Sequence, residues 1–218
     1  MRLLVPVLLA AAALAPSPVS AQGATRPLCA PDNAGLKLPA GFCATLFADS
    51  LTAPRHMVVA PNGDVIVALQ GTRQGTVQVP GGIAILRDAN GDGRAELRGK
   101  FGEFGPSEVA LVGDALYTEN NTAILRYRLA AGAMSPEGAP DTIVSGLLAG
   151  GHRAKTFVVH NGALFVNHGS RTNACQEQDR ALESKGVNPC IELETRAGIW
   201  RYSASKVGQT LSDGERFA

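Results

Sequence analysis

Met57-Val-Val-Ala-Pro-Asn-Gly-Asp-Val-Ile-Val67 is an apolar run, a turn centred on glycine and a second apolar run. Val109-Ala-Leu-Val-Gly-Asp-Ala-Leu-Tyr117 and Phe157-Val-Val-His-Asn-Gly-Ala-Leu-Phe-Val166 read the same way. The turn glycines Gly63, Gly113 and Gly162 stand 50 and 49 residues apart. Asn62-Gly63 and Asn161-Gly162 offer the positive φ angles that tight hairpin turns demand. Each hairpin is followed by a strand in which arginine follows an apolar residue: Leu86-Arg87, Leu125-Arg126-Tyr127 and Trp200-Arg201-Tyr202. Alternating apolar and charged residues mark half-buried strands. A period near 50 with three or four strands per unit is the sequence form of β-propeller blades. The fold class is therefore all-β, a β-propeller of which the chain supplies about three blades, where propellers typically close with about 4–8. The period-2 alternation and 25 glycines exclude helical repeats. Insertions fall within the units, the largest being Ser170 to Ala197.

Upstream, Met1-Arg2, the apolar run Leu3 to Ala15 and Val19-Ser20-Ala21 have the charged, apolar, small-residue layout of a secretory signal. The expected division is a signal peptide over 1–21 and a partial propeller over 22–218, secreted or periplasmic. The leading run is too short to span a bilayer, which takes ~20 apolar residues in a helix, and no later segment could do so. Four cysteines fit an oxidising compartment. Of three possible connectivities, Cys29–Cys43 and Cys175–Cys190 are favoured because each closes a short loop. No C-x-x-C pair or histidine spacing supports zinc. The balance of 20 Lys+Arg against 19 Asp+Glu gives no basic patch for nucleic acid and no acidic tail. The chain stops at Gly214-Glu-Arg-Phe-Ala218, on the approach to a fourth unit, and is expected to be a fragment or truncated product.

Six stretches carry a resemblance: Leu38-Pro-Ala-Gly-Phe-Cys-Ala-Thr-Leu-Phe47, Pro54-Arg-His-Met-Val-Val-Ala-Pro-Asn-Gly63, Leu86-Arg-Asp-Ala-Asn-Gly-Asp-Gly93, Gly150-Gly-His-Arg-Ala-Lys-Thr156, Leu164-Phe-Val-Asn-His-Gly-Ser170 and Gly214-Glu-Arg-Phe-Ala218. In order and spacing they resemble the soluble quinoprotein glucose/sorbosone dehydrogenase family. That resemblance implies a six-bladed propeller holding pyrroloquinoline quinone (PQQ) with calcium beside it. It implies oxidation of a sugar or sugar aldehyde, with electrons leaving to a further acceptor. His152 would be the base that takes the substrate hydroxyl proton. Arg153 and Lys155 would face the PQQ carboxylates, and Ser170, Arg171 and Asn173 would add polar cofactor contacts. Gly151 stands where many such members carry a histidine or an acidic residue. Calcium ligands are expected mainly from the second half of the propeller, and none is assigned here. A calcium-dependent sugar lactonase and a non-catalytic propeller binding a protein or glycan are the alternatives on the same scaffold.

Asp88-Ala-Asn-Gly-Asp-Gly-Arg-Ala-Glu96 opens like a calcium loop, but the twelfth position is Gly99 rather than glutamate. A turn built from Asn90-Gly91 and Asp92-Gly93 is the favoured reading. His56, His160 and His168 have no accompanying carboxylate cluster and read as ordinary strand and turn histidines. No G-x-S-x-G elbow, phosphate-cradling loop or dinucleotide fingerprint is present.

Overall fold

The computed structural model describes residues 29–218, so the expected signal peptide lies outside the described residues. Among them, helical structure is limited to four 3₁₀ turns. The chain builds three antiparallel sheets in sequence order. The first has β1 (Pro54–Val59), β2 (Val65–Leu69), β5 (Gly82–Arg87) and β6 (Leu97–Phe101) in that spatial order, with a side hairpin of β3 (Thr72–Gln74) and β4 (Val77–Val79). The second holds β7 (Val109–Val112), β8 (Ala115–Glu119), β9 (Ile124–Arg128) and β10 (Glu137–Ser145). The third holds β11 (Phe157–His160), β12 (Ala163–His168), β13 (Gly198–Ser203) and β15 (Glu215–Arg216). The short β14 (Gln209–Thr210) leaves the third sheet and pairs in parallel with Val144 and Ser145 of β10.

The three apolar–turn–apolar stretches are the hairpins β1–β2, β7–β8 and β11–β12. Their glycines adopt positive φ: Gly63 at 90°, Gly113 at 62° and Gly162 at 75°. Asn161 joins Gly162 with φ 47°, as a two-residue turn requires. Asn62 differs. The turn there is wider, with Val59 opposite Val65, and the Asn62 amide instead donates to Asp64 Oδ2 at 2.8 Å.

Strand alternation sorts side chains onto two faces. Val67, Leu69, Ala84 and Leu86 pack beneath Phe47, Ala48 and Leu51 of the N-terminal segment. Ile66, Ala68, Ile83 and Ile85 meet Leu116, Leu125, Tyr127 and Leu129 of the second sheet. The opposite face of that sheet, with Tyr117, Ile124, Ile143 and Val144, packs on Leu164, Val166, Trp200 and Tyr202 of the third. Each fully buried Leu or Ile contributes about 1.5–3 kcal/mol. The arginine in each third strand meets an acid: Arg87 forks onto Asp64 with two 2.6 Å bonds, Arg126 reaches Asp141 at 2.6 Å and Arg201 lies 3.6 Å from Glu215. The Arg87 hydrogen bond holds the Asp64 carboxyl below its ordinary range.

Disulfides join Cys29 to Cys43 and Cys175 to Cys190, with Cα atoms 5.6 and 5.9 Å apart. No helix among the described residues is long and apolar enough to cross a membrane.

Candidate functional site

β1 packs against β7 and β7 against β11. Their starts lie together, since His56 N–H donates to the Ser107 carbonyl at 3.3 Å, and Glu108, Thr156, Phe157 and Asn167 line one cleft. The connections 102–108, 120–123, 146–156 and 169–197 therefore gather on one face.

The loop before β11 carries His152, which is exposed. Its main-chain N–H donates to Ser170 O at 2.9 Å, and its Nε2 lies 2.7 Å from Asn173 Oδ1. A carbonyl oxygen only accepts, so the neutral ring is assigned as the Nε2–H tautomer with a free lone pair on Nδ1. Two glycines permit this approach. A Cβ on Gly151, whose φ is 58°, would collide with the Arg171 carbonyl oxygen and lie 2.6 Å from its Cα. A Cβ on Gly169 would collide with the His152 carbonyl oxygen and lie 2.7 Å from the His152 Cβ. There is accordingly no room for a larger side chain at position 151, immediately before His152. Gly169→Ala should destabilise the protein by about 1–3 kcal/mol through overpacking. A thermal melt checks this, and an unchanged midpoint would show that the two loops can part freely.

Of the expected site residues, His152, Ser170 and Asn173 are brought together. The exposed guanidinium groups of Arg153 and Arg171 make no hydrogen bond or ion pair among the described residues. Lys155 is placed differently from a cofactor-facing cation. It is 1% exposed, and its Nζ donates to the carbonyls of Leu148 at 3.0 Å and Arg153 at 2.8 Å. Burial lowers its pKa, opposed by the charge of Glu119.

Glu119, Glu192 and Arg196 near the site escaped the sequence reading, whereas His168 reads there as an ordinary strand histidine. Glu119, wholly buried at the end of β8, accepts from Ser107 N–H at 2.6 Å and Asn121 N–H at 2.5 Å. Burial raises its pKa against the pull of those bonds and of Lys155. A glutamate closing an otherwise apolar strand was the available signal. His168 is 2% exposed and stacks on Trp200 at 4.6 Å, with neither ring nitrogen in a well-formed hydrogen bond. Burial, and then the charge of Lys155, pulls its pKa down to about 4. Glu192 gathers Arg171 N–H at 2.7 Å, Thr172 N–H at 3.2 Å and the Thr172 hydroxyl at 2.6 Å. Arg196 reaches the carbonyls of Ala149 at 2.6 Å and Gly150 at 3.1 Å.

Away from this face, Asp88 is the hub of the β5–β6 loop, accepting from the N–H groups of Gly91, Asp92 and Gly93. Those bonds, led by the one from Gly93, lower its pKa. Asp88, Asp92 and Glu96 bring one oxygen each within 4.8 Å of one another. Glu96 also accepts from Ala89 N–H at 2.8 Å, so the loop is closed by its ninth residue rather than its twelfth.

No curated protein matches the chain. Among solved structures, it is similar to the iodide structure of Trichoderma reesei Carbohydrate-Active Enzymes Family AA12, with 16% identity and a TM-score of 0.58. The calcium structure of the same protein gives 16% identity and 0.57. Both matches cover 78% of this chain and 41% of the other. The holo form of the pyranose dehydrogenase PQQ domain from Coprinopsis cinerea gives 16% identity and 0.54, covering 77% of this chain and 38% of that one. This chain thus spans about two-fifths of the length of these structures. At such identities the likeness speaks for the fold. A family model described as TrAA12-like matches residues 36–216. The chain belongs to the TrAA12-like family.

Proposed function

We propose that this chain supplies about three blades to a six-bladed β-propeller that oxidises a sugar or sugar aldehyde with bound PQQ, outside the cytoplasm. The observation that carries this reading is the His152 loop. It presents an imidazole with a free Nδ1, held by Asn173, beside two exposed and unpaired guanidinium groups. That donor set suits a planar polycarboxylate: Arg153 and Arg171 would hold its carboxylates, with the Ser170 hydroxyl as a further contact. Lys155 serves the same loop from below through the Leu148 and Arg153 carbonyls rather than by direct contact. The similar Coprinopsis cinerea structure is a pyranose dehydrogenase PQQ domain and one family AA12 structure is a calcium structure, which supports both cofactors. On this face calcium is assigned no ligand.

PQQ, when bound, supplies a quinone able to accept two electrons from a sugar carbon. His152 Nδ1 takes the proton of the hydroxyl on that carbon, while Asn173 keeps the opposite nitrogen protonated and the ring oriented. A signal peptide over 1–21 and two disulfides suit an oxidising compartment. The test is turnover of aldoses and sorbosone by protein from the whole reading frame, loaded with PQQ and calcium, using an artificial electron acceptor. Turnover supports the reading. Absence of turnover across the panel removes it in favour of a non-catalytic binding module.

A further inference from the structure

The loop that carries His152 is soft by composition. Gly150 and Gly151 both adopt positive φ, at 80° and 58°, and glycine loses more conformational freedom on ordering than any other residue. Nevertheless four of its carbonyls are taken up by two cations. Lys155 binds those of Leu148 and Arg153 from within the same loop. Arg196 binds two of the four between them, Ala149 and Gly150, from a segment more than forty residues further along the chain.

The segment bearing Arg196 is itself fixed. Arg216 donates to the carbonyls of Leu193, Arg196 and Ala197 and lies 4.9 Å from the Trp200 ring centre. Glu192, one turn before Arg196, holds the backbone of Arg171 and Thr172, directly before Asn173. The contacts that Ser170, Asn173 and Arg196 make on the His152 loop therefore flank the loop closed by Cys175–Cys190. We propose that Arg196 is a positioning residue that fixes His152 by clamping the Ala149 and Gly150 carbonyls, with the 170–197 insertion as its rigid mount. Its catalytic meaning rests on the reading of His152 given above. The geometry of the clamp does not.

The planar fork of arginine can hold two adjacent carbonyls at once, whereas an ammonium holds its acceptors as a point charge. Arg196 is only half-buried, so its replacement leaves carbonyls that water can reach and a chain that still folds. The test uses the full chain without cofactor. Amide exchange is followed at His152, whose N–H donates to Ser170 O, and at Leu164 in the core of the third sheet. The chain has four histidines, so the imidazole nitrogen resonances of His152 are separable.

In Arg196→Met, exchange at His152 should quicken about tenfold or more while that at Leu164 stays unchanged. The Nε2–H tautomer should give way to a mixture, and Arg196→Lys should fall between the two. Unchanged protection at His152 overturns the proposal, and so does an equal rise at Leu164, which would mean general loosening. In loaded full-length enzyme, Arg196→Met should lower kcat about tenfold with KM little changed, since it misplaces a group that acts in the transition state. Turnover that survives His152→Ala would remove the catalytic reading, while the exchange result still decides the clamp.

Discussion

His152→Ala should lower kcat at least about a hundredfold in the PQQ-loaded full-length protein, because positioned base catalysis contributes about 10²–10⁴-fold. In barrier terms this is about 3–5 kcal/mol. The quinone should still bind, since the proposed site assigns its carboxylates to Arg153 and Arg171 and not to His152. Dye-linked turnover and PQQ titration are therefore measured side by side. Loss of kcat with retained PQQ is the expected pair. Near-normal kcat in His152→Ala would falsify the assignment, whatever the cofactor does.

The second large effect is on stability against pH. His168 is held neutral in the fold, with its pKa pulled to about 4 from an ordinary 6.5. The unfolded chain takes up a proton as pH falls through about 6.5, and the folded chain does not until about 4. Between those values the unfolded state binds more protons, so acidification destabilises the fold, and the loss is complete near pH 4. The shift corresponds to about 3 kcal/mol. His168→Phe keeps a ring against Trp200 and removes both unsatisfied nitrogens, so it should abolish this component. Denaturant unfolding of the two proteins from pH 7 to 4 isolates it from the carboxylates they share. Parallel stability profiles would show that His168 is not responsible.

Much of the fold was legible because it follows from local rules. Gly63, Gly113 and Gly162 mark the three hairpins, and alternation in Ile66 to Leu69 or Ile83 to Leu86 gives the two buried faces. The short loops of the two disulfides could also be read from spacing. What escaped depends on contacts distant in sequence. The direction of Lys155 is set by the carbonyls of Leu148 and Arg153, which no side-chain periodicity encodes. Arg196 acts on carbonyls more than forty residues earlier, and Glu192 on backbone N–H groups about twenty residues away. His152 and Asn173 could each be named from resemblance, but their hydrogen bond could not. At Asn62, the turn widened because Asp64 captured the amide, and Asp64 was fixed in turn by Arg87.

The detour of β14 has a consequence for how the molecule comes apart. Gln209 is buried at the crossing, donating to the carbonyls of Ile143, Ser203 and Lys206 and accepting from Ser203 N–H. The chain then returns to the third sheet as β15, so one continuous thread stitches the second and third sheets together. The first sheet has no such stitch; it meets the second through apolar packing, the contacts of His56 with the Ser107 carbonyl and the Glu108 carboxylate, and the Arg87 bond to the Gly132 carbonyl. Sub-global opening therefore divides the protein unevenly, with the first sheet detaching as one foldon and the stitched pair persisting as another. His152 rides on the persistent unit, and its loop outlasts fluctuations that bare the face of Ile66 and Ile85.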